Sequence, residues 1–323
     1  MMKKVCIVGF GAIAKTHASA LEKVENATFS AVCDIDSAKI KKCLESHFVK
    51  TYMDFDEMLL DNEIDSVHIC TPHHLHFEMI KKALAAGKDV VCEKPVTRTK
   101  EEYKELLSLE HSDQVCVVLQ NRLNPCIVKM KKLIDDGSLG KVVMARGILT
   151  WHRMMDYYNQ GEWRGKWATE GGGVLINQAV HTLDYFNYLV GEVISVQARM
   201  SNFSLKEIEV EDSVMAHLVM ENNIPGVFFA TNAYGKNASP FFEVELEEGT
   251  LRYIDKKLFL NGEVIEEDKK SASVVSGKDY WGNSHEKVFK RFYEEGKFFS
   301  PHDVKNTMDT MFAMYESARV FGN

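Results

Sequence analysis

At 323 residues, 45% of them apolar, the chain is long enough for two domains that each bury a core of their own. Its formal net charge of −8 argues against a sequence-independent hold on nucleic acid or on an anionic membrane surface, since both need a basic face that displaces counterions. No apolar run approaches the ~20 residues needed to cross a bilayer, so small-molecule chemistry is the expectation.

The first 120 residues alternate short β-branched runs with segments of helical period. Strands are expected at Lys4–Val8, Thr28–Cys33, Ser66–Cys70, Lys88–Cys92 and Val115–Leu119, with helices at Ala12–Val24, Ser37–Ser46, His74–Ala86 and Lys100–Glu110 between them. That alternation is the pattern of a doubly wound parallel sheet built from βαβ units. After Asn121-Arg122 a helix from Pro125 to Asp136 stops at Gly137, and a strand begins near Lys141. From Ile194 to Glu266 strands alternate with turns at Glu221-Asn222-Asn223, Gly235-Lys236-Asn237 and Asn261-Gly262, which implies an antiparallel sheet. Amphipathic helices at Glu286–Glu295 and Val304–Arg319 close the chain. The expected class is α/β, an N-terminal Rossmann domain plus a C-terminal α/β domain with a large, open, mostly antiparallel sheet.

All seven cysteines, Cys6, Cys33, Cys43, Cys70, Cys92, Cys116 and Cys126, fall in the first part of the chain, and none pair at Cys-x-x-Cys spacing. An odd count without metal-like spacing predicts a reducing compartment, with neither a disulfide framework nor a zinc ribbon. The N-terminus enters a strand almost at once, without signal-peptide architecture, and a cytoplasmic protein is expected. His73-His74-Leu75-His76 lacks companion ligands at suitable spacing and is read as polar lining or capping, so no metal is expected.

Gly9-Phe10-Gly11-Ala12-Ile13-Ala14 follows the first strand and opens a helix. In this Gly9-x-Gly11-x-x-Ala14 pattern the glycines allow a tight turn and close approach of backbone to a pyrophosphate, and the helix N-terminus offers unpaired N–H groups. Asp34, ending the second strand, is expected to accept from the adenosine ribose hydroxyls and to repel a 2′-phosphate; Ile35-Asp36-Ser37 supply no arginine to hold one. NAD is therefore expected, with NADP less favoured. Thr71-Pro72, after the next strand, and Glu93-Lys94 complete the expected cofactor-binding set.

Lys94 lies at the end of the apolar run Asp89-Val90-Val91-Cys92, where open α/β sheets bind ligands, and Pro95 restricts the backbone beside it. It reads either as a proton relay or as a solvated strand-end charge. Gly171-Gly172-Gly173, expected to let the chain approach cofactor or substrate closely, precede a helical stretch on which Asn177, His181 and Asp184 are spaced by four and three residues, on one face. In the functional reading His181 is a general base, Asn177 orients the substrate hydroxyl and Asp184 fixes the imidazole tautomer; the bland reading is a surface stripe or a core histidine. Trp151, Trp163, Trp167 and Trp281 all lie in the second half, the first three near His152, Arg153, Tyr157, Tyr158 and Arg164. That mixture suits a sugar, with Trp163 the candidate binding residue, or else it fills a core or an oligomer contact.

Gly9-x-Gly11-x-x-Ala14, Glu93-Lys94-Pro95 and the segment Gly171 to His181 together resemble the Gfo/Idh/MocA family of oxidoreductases, and the likeness extends over nearly the whole chain, including Gly137-Ser138-Leu139-Gly140 and Tyr315-Glu316-Ser317-Ala318-Arg319. The resemblance implies a Rossmann domain over residues 1–121, a substrate-binding and oligomerisation domain over 122–302, and a last helix, 303–321, that packs back on the first domain. It implies homodimers or homotetramers, a catalytic lysine at Lys94 and a catalytic histidine at His181. Asn177 stands where many relatives carry an aspartate, which removes one acid/base partner and keeps a hydrogen-bonding one. It also implies hydride transfer between NAD and a secondary alcohol carbon of a sugar, polyol or sugar derivative. Redox-neutral elimination or epimerisation of a glycoside, and a non-catalytic NAD-binding sensor, are the alternatives. His285, following Tyr280-Trp281-Gly282, is expected to complete the cleft from its far side.

Overall fold

The computed structural model describes residues 2–268 and 284–321, which divide into two compact units: residues 2–120 with 284–304, and residues 121–268 with 305–321. In the first unit β1 (Lys3–Val8) leads to α1 (Ala14–Leu21), β2 (Ala27–Cys33) to α2 (Ser37–Leu44), and β3 (Lys50–Tyr52) to α3 (Phe55–Leu59). Then β4 (Ser66–Ile69) leads to α4 (His73–Ala85), β5 (Asp89–Cys92) to α5 (Lys100–Ser108), and β6 (Val115–Val117) ends the series. The strands lie parallel in the order β3-β2-β1-β4-β5-β6. Val5 to Val8, Ser66 to Ile69 and Val90 to Cys92 are buried without a break, as in a sheet covered on both faces. The order reverses between β1 and β4, and that switch point opens a crevice at the carboxyl ends of the strands. Asp36, Asp54 and the reciprocal Thr99/Glu102 pair cap the N-termini of α2, α3 and α5. The β3–α3 pair escaped the sequence reading because a three-residue strand and a five-residue helix are too short to establish a period.

The second unit begins with α6 (Pro125–Asp135), β7 (Val142–Thr150) and the single turn α7 (Met155–Tyr158). A π-helical turn, Leu175–Ala179, runs into α8 (Val180–Tyr185) and a second π-helical turn, Phe186–Val190. Strands β8 (Val193–Ser201), β9 (Ser213–Met220), β10 (Ile224–Thr231), β11 (Phe241–Leu246), β12 (Gly249–Ile254), β13 (Lys257–Leu260) and β14 (Glu263–Glu267) follow. They form one eight-stranded sheet with β7, ordered β14-β13-β12-β11-β7-β10-β9-β8 and antiparallel except where β7 meets β10. Val214, Ala216, Leu218 and Met220 point into the core while Met215 and His217 point out, the alternation of a sheet with one covered face. On the covered face Tyr185 and Phe186 pack against Phe242 with ring centroids 5.4 and 5.0 Å away.

The closing helices sort opposite to expectation. α9 (His285–Tyr293) and residues to 304 belong to the first unit: Phe289 packs on His17 and His68, Tyr103 donates to the Pro301 carbonyl at 2.6 Å, and Val117 N–H donates to the Phe299 carbonyl at 2.8 Å. α10 (Lys305–Phe321) belongs to the second unit instead of returning to the first; it lies along β8, where Ser317 Oγ accepts from Ala198 N–H. Polar anchors at fixed places, which helical period does not report, decide this pairing. Among the described residues no helix is long and apolar enough to cross a membrane, and the seven cysteines are buried free thiols.

One anchor is a fully buried ion pair. Arg122 Nε and Nη2 hold Asp184 Oδ2 and Oδ1 at 2.8 and 2.6 Å, and Thr307 Oγ1 donates to the same carboxylate at 2.6 Å. Removing one member strands the other charge out of water. Arg122→Met is expected to destabilise the protein by about 3–5 kcal/mol in urea denaturation. Stability within 1 kcal/mol or so of the parent would show that the pair is not structural.

Candidate functional site

In the first unit, Gly9 has φ +81°, and a Cβ there would stand 2.9 Å from Thr71 Cγ2 and 3.0 Å from the Cys70 carbonyl. Only glycine fits where the loop crosses the end of β4. A Cβ on Gly11 would meet nothing within 4 Å, so the loop opens there to whatever approaches it. Ala14 is buried, and the N-terminus of α1 has no side-chain cap, leaving its N–H groups to an anion. Asp34 is buried at the end of β2, where Oδ2 accepts from Phe10 N–H at 2.7 Å and Oδ1 from Asp36 N–H at 2.9 Å. It braces the glycine loop and still has lone pairs for ribose hydroxyls. Lys39, one turn into α2, brings its ammonium within 3.6 Å of Asp34; the sequence reading passed over it, although its place in the turn after Asp34 was visible. Thr71 and Pro72 are half-buried at the same crevice. The glycine turn, the open approach at Gly11 and the acidic end of β2 fit a dinucleotide.

Lys94 is half-buried at the end of β5, and its peptide bond to Pro95 is cis. His76 bridges the two crevice segments, with Nδ1 2.7 Å from the Pro95 carbonyl and Nε2 2.9 Å from the Thr71 carbonyl. A neutral ring donates to only one of them. Glu93 departs from its expected cofactor-binding role. It is buried and turned inward, with Oε1 3.0 Å from His17 Nε2 and Oε2 accepting from Lys94 N–H at 3.3 Å. Burial alone would push this carboxyl toward its neutral form; hydrogen bonding and the charges of the surrounding imidazoles outweigh it and hold the pKa well below the usual range. For His17 desolvation is the largest influence and lowers the pKa. His285 is no cleft residue: it is buried in the first unit beside Glu93 and His17. Tyr280, Trp281 and Gly282 lie outside the described residues.

In the second unit every residue from Gly172 to Phe186 is buried except Asn177 and His181, which are half-exposed. The first stands in a π-helical turn, a distortion found often at functional sites, and the second in α8. Asn177 Nδ2 donates to Glu170 Oε1 and, at 3.3 Å, to the Tyr157 hydroxyl, which also accepts from Gln178 at 2.9 Å and from Arg164. Asp184 is a correction. It is 1% exposed with its oxygens taken by Arg122 and Thr307, so it neither meets a substrate nor sets the tautomer of His181. Trp163 is half-buried with the Arg164 guanidinium 4.4 Å from its ring, and Arg164 and Arg153 lie over Tyr157 at 4.3 and 5.4 Å. Trp151 is a core residue whose indole donates to Ala238, and Trp167 donates to the Glu209 carbonyl.

Gly172 and Gly173 also serve a different neighbour from the one expected. A Cβ at Gly172 would stand 1.9 Å from the Tyr315 hydroxyl, and one at Gly173 1.8 Å from the Glu211 carbonyl oxygen. The close approach is made by the protein's own chain. Glu211, which the sequence reading did not single out, accepts from Gly173 N–H at 2.9 Å, Leu175 N–H at 3.0 Å and Tyr315 O–H at 3.0 Å. It thereby holds the start of the helix that carries Asn177 and His181. Burial pushes its carboxyl up to about 7, against the pull of those donors.

Comparison with known proteins gives a consistent picture. Residues 3–121 match a family model described as an oxidoreductase family with an NAD-binding Rossmann fold, and residues 127–252 match the GFO/IDH/MocA C-terminal domain. A levoglucosan dehydrogenase of Pseudarthrobacter phenanthrenivorans is 30% identical over 229 residues, 63% of this chain and 59% of that protein. An inositol 2-dehydrogenase/D-chiro-inositol 3-dehydrogenase of Lactiplantibacillus plantarum is 32% identical over 198 residues, 58% of this chain and 53% of that protein. The match thus spans less than two thirds of either relative. The WlbA dehydrogenase of Chromobacterium violaceum, solved with NADH and UDP-GlcNAcA, superposes with a TM-score of 0.86 at 27% identity, covering 99% of this chain and 94% of that one.

Glu211 makes stability pH-dependent. The folded carboxyl keeps its proton to about pH 7, whereas an unfolded one ionises near its ordinary value of 4.5, so stability falls as pH rises between these values and levels off above. The loss is expected to reach roughly 3 kcal/mol, and Glu211→Gln should flatten it. Thermal unfolding of both proteins from pH 5 to 8 checks this. Parallel curves would remove Glu211 as the cause.

Proposed function

Because this chain belongs to the Gfo/Idh/MocA oxidoreductase family, whose first domain is an NAD-binding Rossmann fold, we propose that it is an NAD-dependent dehydrogenase acting on a secondary alcohol of a sugar, polyol or sugar derivative. The observation that carries the reading is the exposure of Asn177 and His181 on a helix that is otherwise buried. Partly exposed polar groups among buried neighbours, with Asn177 held by Glu170 and Tyr157, are suited to positioning a substrate hydroxyl. The relatives named for levoglucosan and inositols support this substrate class.

In this proposal the backbone at Gly9 and Gly11 and the start of α1 hold the pyrophosphate, and Asp34 holds the adenosine ribose. NAD, when bound, accepts or returns the hydride. His181 takes the hydroxyl proton on its imidazole, Asn177 orients that hydroxyl, and Lys94 assists proton transfer from the strand end. Trp163, with Arg164 across its ring, lines the substrate position.

We extend the proposal to self-association through the open face of the eight-stranded sheet. Phe241, Ile148, Phe229 and Met215 are neighbours in register across β11, β7, β10 and β9, and none of them is buried. An apolar row of this kind suits a second copy of the chain. Light scattering is expected to give the mass of a dimer or tetramer, and a monomer at micromolar concentration would refute it.

The test of the activity is reduced nicotinamide formed from NAD with a panel of sugars, polyols, uronates, glycosides and nucleotide sugars. His181→Ala and Lys94→Ala should each lower kcat by about 10²–10⁴ while leaving NAD affinity within a few fold. Asp34→Ala should cut the preference for NAD over NADP by roughly tenfold or more. Silence across the panel with NAD still bound would turn the search to redox-neutral products. Near-normal turnover of the Lys94 variant would remove that residue from the chemistry.

A further inference from the structure

A run of hydrogen-bonded side chains through the core of the first unit ends in three donor atoms that the chemistry above does not use. His17 Nε2 lies 3.0 Å from Glu93 Oε1, His285 Nε2 lies 3.5 Å from the same oxygen, and one ligand atom from each residue falls within 4.8 Å of the other two. The three come from α1, the end of β5 and the start of α9, and all are buried. Around a tetrahedral ion bonded at about 2.0–2.1 Å, ligand atoms stand about 3.4 Å apart, and the two measured separations bracket that value.

We propose that His17, Glu93 and His285 form a site for one divalent transition-metal ion, and that their ligand chemistry selects Zn²⁺. Two imidazoles and a carboxylate are a nitrogen-rich set that suits zinc, while Mg²⁺ and Ca²⁺ take oxygen shells. His285 supplies the second observation. It is 2% exposed; among the described residues its Nδ1 has no hydrogen-bond partner, and its Nε2 has only the 3.5 Å approach to Glu93 Oε1. A buried imidazole nitrogen with so distant a partner costs free energy, and an ion on Nε2 relieves that nitrogen.

The groups behind the ligands agree with a bound cation. With His17 Nε2 on an ion, its proton sits on Nδ1 and is donated to His68 Nδ1 at 2.9 Å. His68 then donates from Nε2 to the Tyr293 hydroxyl at 2.9 Å, Tyr293 to Ser66 Oγ at 2.6 Å, and Ser66 to the Asp89 carbonyl at 3.2 Å. Every proton on this path meets an acceptor, and the path ends on a carbonyl, which only accepts. Ligating histidines depend on such a partner at the far ring nitrogen to fix tautomer and orientation. The set spans residues 17 to 285, so no ligand spacing within one segment announces it. An ion here joins α1, β5 and α9, and steadies the strand end that carries Lys94.

The full chain, stripped with a chelator, is titrated with Zn²⁺ alone while bound metal and Tm are followed. About one zinc per chain is expected, with Tm rising by roughly 5–10 °C at a hundredfold excess over Kd and no response to Mg²⁺. His285→Ala and Glu93→Gln should each weaken zinc binding by about a hundredfold or more. Should those variants fail to fold, X-ray absorption at the zinc edge of the unaltered protein decides: nitrogen and oxygen scatterers with two imidazoles uphold the site. Sulfur ligation, zinc binding that survives His285→Ala, or a stripped chain indifferent to Zn²⁺ overturns it.

Discussion

A carboxylate placed in the interior must be surrounded by donors or lose its charge, and Glu93 imposes that condition on the whole first unit. It is 7% exposed at the end of a strand whose last three residues, Val90 to Cys92, are fully buried. His17 on α1 faces it, His68 on β4 backs His17, and Tyr293 on α9 backs His68. Helix α9 lies far away in sequence, yet the polar path needs its tyrosine and the apolar packing needs Phe289. One buried charge thus accounts for why residues 284–304 close the first unit. It also accounts for the setting of Lys94, whose backbone N–H leans on the second oxygen of the same carboxylate.

The second unit meets the same condition in a different way. Asp184, Glu211 and Glu170 are all buried, and each is satisfied by its own unit: Asp184 by Arg122 and Thr307, Glu211 by two backbone N–H groups and Tyr315, Glu170 by Gly165 and Asn177. Each is an anchor. The helix that begins at Val174 is consequently held at its start by Glu211 and further along by Asp184, and two π-helical turns are accommodated between Leu175 and Val190. Against that background Asn177 and His181 stand out as the two partly exposed polar side chains between Gly172 and Phe186.

Much of this was legible in the residues. The βαβ alternation over the first 120 residues, the glycine turn before α1, the acidic end of β2 and the antiparallel turns of the second sheet all follow from local chemistry: backbone conformation at Gly9, side-chain period, and turn residues such as Asn261-Gly262. Helical spacing brought Asn177, His181 and Asp184 onto one stretch but did not separate them. Period reports which residues share a helix, whereas the partner at the far end of a side chain decides what each one does. Arg122, sixty-two residues away, turns Asp184 into an anchor.

The sequence by itself determined the fold class, the two-part organisation and the dinucleotide loop, because each rests on residues within a few positions of one another. Only the tertiary structure decided that Glu93 faces the core, that Gly172 and Gly173 make room for Tyr315 and Glu211, and that α9 and α10 belong to different units. Those outcomes turn on the need of buried polar atoms for partners. Such partners are found wherever the folded chain brings them, at separations that no local pattern encodes.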